Sequence, residues 1–81
     1  MSPTHLARAF RRHFGDTPGT YLRRLRVERA ARAIEDGDAS LAEIAADAGF
    51  TDQSHMGRAF RSVKGTSPAR WRAARPAHNA R

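Results

Sequence analysis

Two segments of this chain carry arginine in the same pattern. HLARAFRRHFG at 5–15 and HMGRAFRSVKG at 55–65 share His5/His55, Arg8/Arg58, Ala9/Ala59, Phe10/Phe60, Arg11/Arg61 and Gly15/Gly65, and at the same offset Pro18 matches Pro68. On a helix Thr4, Ala7, Arg8 and Arg11 fall at i, i+3, i+4, i+7, and Ser54, Gly57, Arg58 and Arg61 repeat that face. A solvent stripe under no constraint has no reason to recur. Its chemistry suits the base edges of a major groove. Arginine offers a two-pronged fork to guanine, Gln53 can bond adenine, and Ala7, Ser54 and Gly57 are small enough to let a helix lie close. Arg11, Arg12, Arg61 and Lys64, further along each helix, are expected at backbone phosphates.

No other constellation competes with the arginine stripes. The chain has no cysteine, and His5, His13, His55 and His78 show no metal-ligand spacing. No set of catalytic groups converges, so an enzyme, a metal and a cofactor are not expected. The aromatic residues Phe10, Phe14, Phe60 and Trp71 fall on apolar faces, which argues against an RNA-stacking platform. No apolar run reaches the roughly 20 residues of a membrane span, and the expected setting is the cytoplasm, in association with the nucleoid.

Charge is partitioned with the repeat. Residues 1–26 hold six arginines and Asp16, net +5; residues 27–52 hold two arginines and seven acids, net −5; residues 53–81 hold six arginines and Lys64 with no acid, net +7. Each basic block contains one copy of the repeat, and basic blocks of this kind suit a polyanion. An anionic membrane surface would share the basic helices, but it explains neither the recurring stripe nor the acidic middle.

The elements that must position these stripes are marked by their ends. Ser2-Pro3, Thr17-Pro18 and Ser67-Pro68 read as a cap followed by the first helical residue, and Ser40-Leu-Ala-Glu43 reads as a capping box. Gly15, Gly37, Gly49 and Gly65 each stand where a glycine in the left-handed region can stop a helix. Five helices follow, at about 3–14, 18–36, 41–48, 53–64 and 68–74, with no strand and a disordered tail at 75–81. Apolar residues at the 3.6 period give the core faces: Leu6, Ala9, Phe10 and His13; Val27, Ala30, Ala31 and Ile34, preceded by Tyr21, Leu22 and Leu25; Leu41, Ile44, Ala45 and Ala48; Met56, Ala59, Phe60 and Val63. Residues 41–64 then form a short helix, a turn around Ala48-Gly49-Phe50-Thr51 and a second helix that begins after Thr51 or Asp52, a helix-turn-helix with Ala45 at the crossing.

LAEIAADAGFTDQSHMGRAFRSVKGTSPARWR, residues 41–72, closely resembles the signature of AraC/XylS-type bacterial transcription regulators, and SPTHLARAFRRHFGDTPGTYLRRLRVERAARAI, residues 2–34, resembles the portion before it. The resemblance implies an all-α domain over 1–74, in which two helix-turn-helix units of homeodomain-like form are joined by a long linker helix. Each unit places a reader helix in successive major-groove segments. It also implies base contacts from Thr4, Ala7 and Arg8 in the first reader and from Gln53, Ser54, Gly57 and Arg58 in the second, with Arg8, Gln53 and Arg58 carrying most specificity. The implied partner is double-stranded promoter DNA, with RNA polymerase as a further one, and the implied role is regulation of bacterial transcription, with the choice between activator and repressor not written in these residues. No effector-sensing segment, and so no small-molecule ligand, is expected here. The helix at 18–36 would run about 30 Å at 1.5 Å per residue, close to the roughly 34 Å between successive major-groove faces.

In one respect the chain departs from that family. It begins one residue before the cap of the first reader, so the first unit lacks its leading helices, and a longer native protein with Met1 internal is expected. Leu6, Phe10 and Phe14 would then lose burying neighbours. The rival reading is a truncated, weakly folded fragment with only non-specific nucleic-acid or anionic-membrane binding.

Overall fold

A computed structural model describes residues 17–76. The first copy of the repeat, with Thr4, Ala7, Arg8, Arg11 and Arg12, lies outside the described residues, as do residues 77–81. Where described, the chain forms four helices and no strand: α1, Pro18–Asp36; α2, Leu41–Asp47; α3, Gln53–Lys64; α4, Pro68–Ala74.

Each helix begins at a side chain that satisfies one of its free N–H groups. Thr17 accepts from Thr20 N, Ser40 from Glu43 N, Asp52 from His55 N and Ser67 from Arg70 N, and proline occupies the first turn of α1 and α4. At α2 the capping box is complete, because Glu43 Oε1 also accepts from Ser40 N–H at 3.0 Å. That backbone bond, and after it the Ser40 side chain, holds the Glu43 carboxyl below the usual carboxylate range. A folded-state pKa lowered in this way adds stability above the unfolded pKa and loses it as pH falls through the folded one. Glu43→Gln keeps the capping shape and removes the charge. Its Tm is therefore expected to fall less steeply than wild type between about pH 5 and pH 3; parallel curves would mean that the box does not couple to protons.

Two helix ends are glycine stops in the left-handed region, Gly49 at φ 96° and Gly65 at φ 76°. Gly37 is not. It lies at φ −153°, extended backbone, and leads directly into the connector to α2. The expected left-handed stop is absent because the chain does not wrap back there, and an arginine from far along the sequence takes up two of the carbonyls instead.

That arginine is Arg75, the first residue of the expected disordered tail. Its guanidinium donates to the Ile34 carbonyl, to the Gly37 carbonyl at 2.6 Å and to Asp38 Oδ1 at 2.8 Å, with a side chain only 15% exposed. Arg72 donates to the Ala39 carbonyl at 2.6 Å, and Trp71 Nε1–H to Glu35 at 2.9 Å. The last helix is thus pinned across the end of α1, and residues 71–75 belong to the folded domain.

The core draws on all the expected faces of α1 to α3. Val27, Ala30, Ala31 and Ile34 of α1 meet Ile44, Ala45, Ala48 and Phe50 around α2, and Met56, Ala59 and Phe60 of α3; Leu41, Val63 and Trp71 close its edge. Ala45, expected at the helix crossing, is completely buried. The expected stripe of α1 extends too far, however. Leu22 and Leu25 are 48% and 45% exposed, so only the C-terminal half of the long helix lies in this core.

Candidate nucleic-acid interface

The angle between α2 and α3 is set by five residues of turn. Phe50 N–H donates to the Ala45 carbonyl at 2.9 Å and Gly49 N–H to the Ala46 carbonyl at 3.2 Å, the paired bonds that close a helix through a left-handed residue. Gly49 is favoured by its positive φ, and a Cβ there would stand 3.3 Å from Arg26 Nε, close enough that the arginine side chain would have to shift. Phe50 follows into the core and anchors the turn. His55, which shows no metal-ligand spacing in the sequence, locks the other side. Its Nδ1 accepts from Thr51 N–H at 3.2 Å, its ring stands edge-on to Phe50 at 5.2 Å, and its own backbone N–H donates to Asp52 at 2.8 Å. The bond to Nδ1 assigns the ring proton to Nε2.

With Met56, Ala59 and Phe60 turned inward, the opposite face of α3 faces solvent. Gln53, Ser54, Arg58 and Arg61 are exposed and Gly57 is half-buried. These five residues line one open groove of about 560 Å³, rimmed by Leu41 at the start of α2 and by Ser67, Pro68 and Ala69 at the start of α4. A Cβ on Gly57 would meet nothing within 4 Å, so the floor is open to an approaching surface. Arg58 and Arg61 make no ion pair among the described residues, which leaves both forks available.

Lys64, expected at a phosphate with Arg61, is engaged elsewhere. Its ammonium donates to both Glu28 oxygens, at 2.8 and 2.9 Å, and sits 5.1 Å from the Trp71 ring centroid, with only 19% of its side chain exposed. A chelated, ring-stacked ammonium is a strut between α3, α1 and α4, and a DNA phosphate would have to displace Glu28 to reach it. Arg70, which the repeat does not mark, does come to the surface beside Arg61, in a concavity that also holds Thr66 and Ser67. Only the packing of α4 against α3 brings it there, so nothing in its sequence neighbourhood could have found it.

Among the described residues no three His, Asp or Glu side chains are placed to hold a metal ion, and no helix is long and apolar enough to cross a membrane. The family model that matches is described as a helix-turn-helix domain and covers residues 1–74. An HTH-type transcriptional regulator of Mycobacterium tuberculosis is 39% identical over 91% of this chain and 29% of its own length. The transcriptional activator RhaS of Escherichia fergusonii is 39% identical over 95% of this chain and 28% of its own. The chain thus spans less than a third of these two relatives. Among solved structures, the DNA-binding domain of AdpA in complex with a target DNA superimposes with TM-score 0.86 at 38% identity, over 91% of this chain and 67% of that one. An AraC-type regulator of Chromobacterium violaceum gives 0.84 at 27% identity, over 91% and 66%.

Proposed function

Because the chain belongs to the AraC-type family of helix-turn-helix transcription regulators, we propose that it binds double-stranded promoter DNA sequence-specifically by laying the open face of α3 in a major groove. Gln53 and Arg58 bond base edges, Ser54 and Gly57 permit close approach, and Arg61, joined by Arg70, meets phosphates. By the same reading Thr4, Ala7 and Arg8 read an adjacent groove segment, and Arg11 and Arg12 meet its phosphates. The observation that carries the reading is the face itself: an exposed row of donors with an open floor and two arginines that make no ion pair among the described residues, on the second helix of a helix-turn-helix. The DNA complex of the AdpA domain, a close structural neighbour, supports it.

Selection from random duplexes tests the reading, with Gly57→Leu as the control that separates binding from folding. Leucine replaces a mid-helix glycine whose Cβ would find open space, so Tm is expected to hold or rise. Its bulk fills the contact floor, and overpacking of about 1–3 kcal/mol corresponds to a roughly fivefold or greater loss of duplex affinity. Recovery of no common sequence, binding to anionic vesicles as tight as to duplex, or a leucine variant that binds like wild type would each overturn the proposal.

A further inference from the structure

Beside the reading groove α1 and α3 enclose a second, smaller notch of about 270 Å³, walled by Arg23 of the long helix and by His55, Arg58, Ala59 and Ser62 of α3. Residues 55, 58, 59 and 62 share one edge of α3, between its buried stripe and its groove-facing stripe. Every polar side chain in the set can donate. Arg23 is exposed and has no ion-pair or hydrogen-bond partner among the described residues. The His55 ring has its Nδ1 occupied by Thr51 N–H, which makes its remaining nitrogen a fixed donor. Ser62 adds a hydroxyl on the exposed surface, and no carboxylate lines the notch. The Arg23 guanidinium, the His55 imidazole and the Ser62 hydroxyl line one hollow and together form a donor set for a tetrahedral oxyanion.

We propose that this notch seats one backbone phosphate of the duplex, held chiefly by Arg23, so that the long helix itself touches DNA. The inference rests on the DNA-binding reading above. The acidic block at 27–52 leaves the long helix off the DNA in the sequence pattern, although the helix itself carries five arginines against three acids. Those acids, Glu28, Glu35 and Asp36, all lie in its C-terminal half, whereas Arg23 lies in a stretch with no acid between Thr17 and Val27. Arg58 lines both the notch and the reading groove. A phosphate bound by Arg23, His55 and Ser62 therefore fixes how deep and at what rotation α3 enters, and leaves Arg58 to the bases.

Affinity of the full chain for a mixed-sequence duplex, measured against salt concentration, tests the notch. Arg23→Ala is expected to weaken binding roughly five- to tenfold, by the same factor on every sequence, and to make the log–log salt slope shallower by about 0.9, the value of one phosphate. Arg23→Lys should restore the slope but not all of the affinity, because an ammonium keeps the charge without the fork. His55→Asn retains an acceptor near the position of Nδ1 for Thr51 N–H and removes the Nε2 donor, so it too should weaken binding uniformly, with Tm lowered by the loss of the ring's edge-on contact to Phe50. If Arg23→Ala keeps wild-type affinity and slope while Arg58→Ala weakens binding, the notch is refuted and the reading groove stands. A loss confined to particular base pairs would also overturn it, since Arg23 would then meet a base. If the wild-type chain binds no duplex, both proposals fail.

Discussion

Phe60→Ala is expected to abolish cooperative unfolding of the chain near room temperature. Phe60 is fully buried at the centre of α3, among α1, α2 and α4, with its ring edge-on to Trp71 at a centroid distance of 5.7 Å. Truncating a buried phenylalanine costs about 3–5 kcal/mol through lost transfer energy and the cavity left behind. A small domain has total stability at the low end of roughly 5–15 kcal/mol, so most of it would be consumed. Urea denaturation followed by far-UV ellipticity would show a transition displaced to very low denaturant or missing. A shift of under about 1 kcal/mol would mean that the site collapses around the gap and that this core is not the one that holds the domain. Phe60→Leu, which keeps most of the volume, should retain a cooperative transition at lower midpoint.

Arg58→Ala is expected to do the reverse, leaving stability within about 0.5 kcal/mol of wild type while cutting affinity for a selected duplex. Arg58 is exposed and lines the groove with Gln53, Ser54 and Gly57. A bidentate arginine–guanine pair discriminates by about 1–3 kcal/mol, so the loss should be roughly fivefold to a hundredfold and should vanish on duplexes in which that one base pair is changed. Arg58→Lys should recover little, because an ammonium cannot present two parallel donors. A uniform loss across sequences, accompanied by a shallower salt slope, would move Arg58 from the bases to the phosphates.

The helix starts and the exposed stripe of α3 were legible because their signals are local. Caps at Thr17, Ser40, Asp52 and Ser67 act on N–H groups three residues away, and an apolar stripe repeats every turn, so both can be read without knowing the fold. The groove residues Ser54, Gly57, Arg58 and Arg61 were found together because the repeated stripe marks them, and Gln53 because its side chain suits a base edge and the same helix carries it. Long-range partners left no such trace. Lys64 counts as one more cation in a basic block until Glu28, 36 residues earlier, claims it. Arg75 reads as tail until Ile34, Gly37 and Asp38 receive its guanidinium. A charge sum registers neither, since it counts groups and not their distances. Leu22 and Leu25 show the complementary limit: periodicity marks a face that suits burial and says nothing of what covers it. Arg23 and Arg70 were missed for the same reason, because each reaches the α3 surface from a different helix.

The seat of Trp71 has a spectroscopic consequence. It is the only tryptophan in the chain, and it is ringed by Phe60, the Lys64 ammonium and the Glu35 carboxylate. Its emission therefore reports the closure of α4 on α1 and α3, whereas far-UV ellipticity sums over every helix in the molecule. Recorded on one urea titration, the two signals act as a local and a global clock of the same unfolding. Coincident curves mean that the chain comes apart as a single unit; an ellipticity change that precedes the emission change means that helix is lost elsewhere while α4 is still closed on α1 and α3.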